Sequence, residues 1–154
     1  MSVVEDRLRE MNLALPEPPG AVGAYVPFVR TGSCVFLAGQ IPTRGGKPIA
    51  TGKVGAEFTV ESVGECVRAA TLNGLAALKV ALGDLDKVAR VVKMTGYVAS
   101  APGFTAQAAV LNHASQLLLA AFGDRGRHAR VAVGVAELPL GVPVELELIV
   151  EVEA

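Results

Sequence analysis

His128-Ala-Arg-Val-Ala-Val-Gly-Val135, the broken connection Leu138-Pro-Leu-Gly-Val-Pro143, and Val144-Glu-Leu-Glu-Leu-Ile-Val-Glu-Val152 together decide the fold. Both flanking runs alternate with period two, so each reads as a strand. In the first, Val131, Val133 and Val135 share one face, and Arg130, Ala132 and Gly134 share the other. In the second, Val144, Leu146, Leu148, Val150 and Val152 share a face, opposite Glu145, Glu147, Ile149 and Glu151. If the valine and leucine faces both meet helices, Arg130 and Glu145 emerge together on the far side of the sheet. A guanidinium fork and a carboxylate on one surface would bind a small anion and hold a water beside it. The same parity equally describes a solvated face carrying an ion pair.

Working back from this segment, the chain supplies partners for such a sheet. A short amphipathic helix is expected over residues 3–11, with Val4, Leu8 and Met11 on one side, and it is ended by the proline-rich Leu15-Pro-Glu-Pro-Pro-Gly20. Residues 23–29 and 34–40 read as a hairpin about Thr31-Gly-Ser33, and a short strand is expected near Ile49 after the Gly45-Gly46 turn. A long helix is expected over residues 59–82. Thr59 would be its N-cap and Gly83 its stop, with Val63, Val67, Ala70 and Ala77 along its apolar stripe. Gly64 and Gly74 within it suggest close packing on a sheet. A strand over 88–98, a helix over 105–122 ended by Gly123, and the basic loop 125–128 return the chain to the opening segment. The order is ββ(β)αβαββ, an α+β domain with both long helices on one sheet face.

Composition bounds the function. The 154 residues suit a single domain, 1–154, whose first 19 residues form the N-terminal helix and proline-rich lead. Net charge is -1 and no Lys/Arg stripe forms, which argues against a dedicated nucleic-acid binder. Charged residues make up only 19% and hydrophobic ones 51%, so the surplus apolar surface is expected in a subunit interface. Residues 95–123 contain no Asp, Glu, Lys or Arg, but Pro102, Gln107, Asn112, His113 and Gln116 interrupt any membrane span. The first ten residues carry Glu5, Asp6 and Glu10 and lack the apolar core of a secretory signal. Cys34 and Cys66 lack metal or redox spacing and are expected as buried thiols in a reducing cytoplasm.

Tyr25, the run Gly39-Gln40-Ile41-Pro42, Asn112, Arg130 and the stretch Leu138-Pro139 to Val144-Glu-Leu-Glu147 resemble the RidA (YjgF-type) family of enamine/imine deaminases, also called the endoribonuclease L-PSP family. The resemblance spans residues 20–152, and the N-terminal lead is similar to that of a longer branch. It implies a chorismate-mutase-like α+β subunit, a mixed sheet with two helices on one face, and a homotrimer with clefts between neighbouring subunits. It also implies hydrolysis of 2-imino or enamine acids of the 2-aminoacrylate type to 2-keto acids and ammonia, removing a reactive metabolite without metal or organic cofactor. Arg130 would clamp the substrate carboxylate, and Glu145 would orient or activate the attacking water. Tyr25, Asn112 and Gly39 would line the cleft.

Two positions depart from the family pattern. Ala38 stands where many members have Ser, and Ala132 where they often have Cys two residues after the arginine. Both changes would make the cleft drier and roomier, favouring a bulkier or more apolar side chain, or weaker turnover. They also favour the alternative of a non-catalytic homotrimer that binds small carboxylates as a sensor or scaffold. Endoribonuclease activity is disfavoured, because the chain offers neither a basic patch nor a paired-histidine acid/base system. His113 and His128 lack metal-ligand spacing and are expected as satisfied histidines, with His128 the nearer to the cleft.

Overall fold

The computed structural model describes residues 2–153. Its main sheet has five strands in the order β1-β2-β7-β5-β6: β1 is Phe28–Thr31, β2 Cys34–Leu37, β5 Val88–Ala99, β6 Ala129–Val135 and β7 Val144–Val152. β5 runs antiparallel to β7 and parallel to β6, so the sheet is mixed. A parallel neighbour needs a crossover. The helix α3, Gln107–Phe122, supplies it, and α2, Gly64–Leu82, packs beside it over β7. A two-stranded ribbon, β3 (Thr43–Arg44) with β4 (Lys47–Pro48), stands where one strand near Ile49 was expected.

The α+β class, the element order and the helices on one sheet face agree with the sequence reading. The expected stripe Val63, Val67, Ala70 and Ala77 is buried, as are Val144, Leu146, Leu148 and Val150 of β7. Gly83 ends α2 in the left-handed region (φ 76), as a C-terminal stop requires. The start of α2 differs. Thr59 and Ser62 exchange hydrogen bonds between side chains and backbone N–H groups, which closes a turn, and regular helix begins only at Gly64. Gly64 is also not a sheet contact, because a Cβ there would press on His113 of α3, whereas Gly74 does face the sheet beside Gln40 and Leu148. Residues 23–27 stay outside β1, and Cys34 is only partly buried, unlike Cys66.

The helix α1, Val3–Glu10, is pinned at its N-terminus. The Asp86 carboxylate accepts from the backbone N–H groups of Val3 (2.7 Å) and Val4 (3.1 Å) and from the Ser2 hydroxyl (3.0 Å). Anions favour this end of a helix, where N–H groups lack intrahelical partners. Val4 and Leu8 then enter the core.

One expectation fails, and it matters for the site. Cross-strand partners share a face, and Met94 pairs with both Leu148 and Arg130, Gly96 with both Leu146 and Ala132, and Val98 with both Val144 and Gly134. Met94, Leu146, Leu148, Val98 and Val144 are buried beneath the helices. Arg130, Ala132 and Gly134 therefore face the helices. Val131 and Val133, 44% and 38% exposed, lie on the far face with Glu145 and Glu147. Arg130 and Glu145 stand on opposite faces of the sheet, not together. The reason is room: α3 sits so close to this edge that a Cβ on Gly134 would press on Gln107, and one on Gly96 would overlap Leu111. Only small side chains, or the thin stem of an arginine, fit beneath it.

Candidate functional site

The predicted residues gather into two groups. The first lies where α3 crosses β6. Arg130 donates through Nη1 to Asn112 Oδ1 (2.8 Å) and Ser115 Oγ (3.1 Å), and through Nη2 to the Ala108 carbonyl (3.2 Å). Three of five guanidinium N–H groups are thereby committed, leaving Nε–H and one on Nη2 for a ligand. Asn112, which the resemblance places only among the cleft-lining residues, is bonded directly to Arg130. Ala132 shares their face but is partly buried against the core.

The second group lies on the far face, where β7 passes the end of β2. Gly39 adjoins Glu145 so closely that a Cβ there would overlap the carboxylate. Gln40 forms a two-way backbone bridge with Leu146, at 2.7 and 3.0 Å, and its side-chain amide donates to the Ala38 carbonyl. The backbone N–H of Ala38 donates to Pro27, which brings the 24–27 segment alongside. Tyr25 in that segment is exposed, and its hydroxyl accepts from the Val22 N–H (3.3 Å).

Among the described residues, the Glu145 carboxylate has neither hydrogen bond nor ion pair, although it is half-buried. Burial pushes its pKa up, and the neighbouring Glu147 charge adds to the rise. Glu147 instead accepts from the Tyr97 hydroxyl (3.3 Å). The phenol's pKa is raised by burial and by the Glu147 and Glu145 charges. A carboxylate without a partner, its proton affinity raised by burial and beside an open glycine backbone, has the properties of a proton acceptor for water.

Sequence reasoning missed two contributors. Asn73, buried in α2, donates through Nδ2 to the carbonyls of Ile41 (3.0 Å) and Thr43 (3.2 Å), fastening the Gly39-Gln40-Ile41-Pro42 run. The available signal was an amide inside an otherwise apolar stripe. Ser115 gave no signal beyond standing three residues, nearly one helical turn, after Asn112. His113 gives its Nε2–H to the Val60 carbonyl (2.8 Å) and is structural. Among the described residues no group of three His, Cys, Asp or Glu could hold a metal, and no helix is long and apolar enough to cross a membrane.

Residues 5–152 match the family described as "YjgF/chorismate_mutase-like, putative endoribonuclease". The chain is 42% identical over 149 residues to protein TCP17 of Trypanosoma cruzi, covering 96% of this chain and 93% of that one. The crystal structure of Atu1372 from Agrobacterium tumefaciens superposes with a TM-score of 0.92 at 43% identity, covering 98% of this chain and 93% of that one. The crystal structure of E. coli TdcF with bound serine superposes with a TM-score of 0.62 at 30% identity, covering 90% and 94%.

Proposed function

Since the chain belongs to the YjgF/chorismate mutase-like family, we propose that it hydrolyses 2-imino and enamine acids to 2-keto acids and ammonia, in clefts built between copies of itself. The observation that carries this reading is the division of the site. Arg130 and Asn112 lie on the helix face, and the unpartnered Glu145 beside Gly39 lies on the far face. No small molecule reaches both faces of one sheet, so the two groups act on one substrate only when one copy supplies the arginine and another the carboxylate. Val29, Phe36, Val131 and Val133, exposed on the far face, are the apolar surface such a contact would cover. The assembly proposed is a homotrimer.

Arg130 receives the substrate carboxylate on its free Nε and Nη2 N–H groups, a geometry that the single ammonium of lysine cannot supply. An enamine first takes a proton from solvent on carbon to become the protonated imine, whose carbon is electrophilic. Glu145 accepts a proton as water adds to that carbon, forming a carbinolamine. The protonated Glu145 then gives its proton to the nitrogen, the C–N bond breaks to release ammonia, and the hydroxyl proton of the carbinolamine passes back to Glu145 as the carbonyl forms. With the last proton leaving Glu145 for ammonia, the sum is protonated imine plus water to ketone plus ammonium. Positioning and the raised basicity of Glu145 supply the acceleration. The bound serine of TdcF supports a small molecule bearing a carboxylate as the ligand class.

The test is release of ammonia and keto acid from enzymatically generated 2-imino acids of graded side-chain size. Acceleration that disappears in Arg130→Ala is expected. Ala38 and Ala132 favour a second reading, a trimer that binds small carboxylates without turnover. Under it, Glu145→Gln would bind a 2-keto acid as the wild type does, and neither protein would accelerate hydrolysis.

A further inference from the structure

His128 and Ser115 take no part in the chemistry above, yet they end a chain of hydrogen bonds that begins at Arg130. His128 Nδ1 lies 2.6 Å from the Gly126 carbonyl, and its Nε2 lies 2.9 Å from Ser115 Oγ. A carbonyl can only accept, so Nδ1 carries the proton. In the neutral ring Nε2 is then an acceptor, and among the described residues the donor facing it is the Ser115 hydroxyl. With its proton turned toward His128, Ser115 presents lone pairs to Arg130 Nη1, 3.1 Å away. With the ring neutral, the bonds run Arg130 to Ser115, Ser115 to His128, His128 to the Gly126 carbonyl.

The backbone enforces this placement. Gly126 is pressed against α3 so tightly that a Cβ there would overlap the Leu118 carbonyl. The turn 123–126 therefore hugs the helix and delivers His128 to Ser115, one residue before β6 begins.

We infer that Ser115 and His128 are positioning residues for Arg130: the neutral, Nδ1-protonated imidazole orients the serine hydroxyl so that it holds Nη1 and leaves Nε and Nη2 directed at a carboxylate. This rests on the reading of Arg130 as the carboxylate clamp.

Side-chain amides separate the two nitrogens. Gln at 128 sets an amide oxygen where Nε2 lies and keeps the acceptor for Ser115; Asn sets an amide nitrogen near Nδ1 and loses that acceptor. Binding of 2-oxobutanoate is measured by titration calorimetry for the wild type, Ser115→Ala, His128→Asn and His128→Gln. Ser115→Ala and His128→Asn are expected to weaken binding about tenfold. His128→Gln is expected to stay within about threefold of the wild type, and kcat on a 2-imino acid to change less than KM in all three. Equal loss in His128→Gln and His128→Asn, or no loss in either Ser115→Ala or His128→Asn, overturns the inference.

Nitrogen-15 spectra provide a readout independent of ligand. His128 should show the Nδ1-protonated tautomer, and the Arg130 Nη signals, slowed by their partners, should average in Ser115→Ala and His128→Asn but not in His128→Gln. The opposite tautomer, or Arg130 signals unchanged throughout, overturns it. If the wild type binds no 2-oxobutanoate, the clamp reading fails, while these spectra still decide whether the relay orders Arg130.

Discussion

Glu145 carries opposed demands on one side chain. Its pKa is raised by burial and then by Glu147, so the folded chain holds the proton more tightly than the unfolded chain does. A carboxyl shifted this way contributes stability that is fully present below its unfolded pKa and is lost as pH rises through the folded value. Glu145→Gln should therefore be more thermostable than the wild type at neutral pH, and the difference should vanish in acid; melting curves across pH check this. Activity moves the other way. A carboxylate base works only when ionised, so the acid limb of kcat should lie above the ordinary carboxylate range, and Glu145→Gln should lose about a hundredfold or more in turnover. A flat profile down to the usual carboxylate pKa would remove Glu145 from the base role. Strand parity singles out Arg130 in one alternating strand, but Glu145 is the first of three glutamates in the other, and its choice over Glu147 and Glu151 comes from the resemblance to the family. The separation of Arg130 and Glu145 onto two faces was not legible in the sequence, since alternation says which residues share a side and not which side is inward. In β6 the size of the side chains under α3 decides that, and hydrophobicity does not.

The elements divide by how locally they are determined. α2 and α3 follow from apolar periodicity and a glycine stop, and β5 and β7 from long alternating runs, so the sequence alone places them. The ribbon and the delayed start of α2 depend on turn bonds such as that between Thr59 and Ser62, which compete with the helix and leave little trace in hydropathy. The Gly39-Gln40-Ile41-Pro42 run is held from outside itself. Asn73→Ala removes its bonds to Ile41 and Thr43, and is expected to cost about 2 kcal/mol in urea unfolding while raising hydrogen exchange in residues 39–43. α1 is fastened at one point. Burial alone would raise the Asp86 pKa, but the N–H groups of Val3 and Val4, the Ser2 hydroxyl and Arg125 together hold it low. Stability from a lowered carboxyl is present above its unfolded pKa and lost as pH falls through the folded one. Asp86→Ala should therefore release α1 at neutral pH, seen as faster amide exchange in residues 3–10, and acid should release it in the wild type.

At the scale of the whole molecule, the far face of the sheet explains the composition. A chain with 51% hydrophobic residues leaves valines and a phenylalanine exposed on the side opposite the helices. The proposed trimer, which would cover that face with further copies and divide each cleft between two of them, makes a sharp prediction. Arg130→Ala and Glu145→Gln should each be inactive alone. Unfolded together in equal amounts and refolded, they should regain about a quarter of wild-type activity, because one cleft in four would draw its arginine and its carboxylate from intact sources. Recovery of none, with mixed trimers verified by mass, would mean that both groups serve one cleft from a single copy or do not share a substrate.

The placement of Arg130 and Glu145 on opposite faces of one sheet also has a genetic reading. In the proposed trimer, a cell expressing equal amounts of wild-type and Arg130→Ala chains would keep about half its clefts, since each damaged copy would silence only the one cleft to which it lends an arginine. The same holds for a damaged Glu145. Such alleles would act in proportion to dose and would not poison the whole assembly. A substitution that spoils the far face proposed as the interface would instead behave as a dominant lesion.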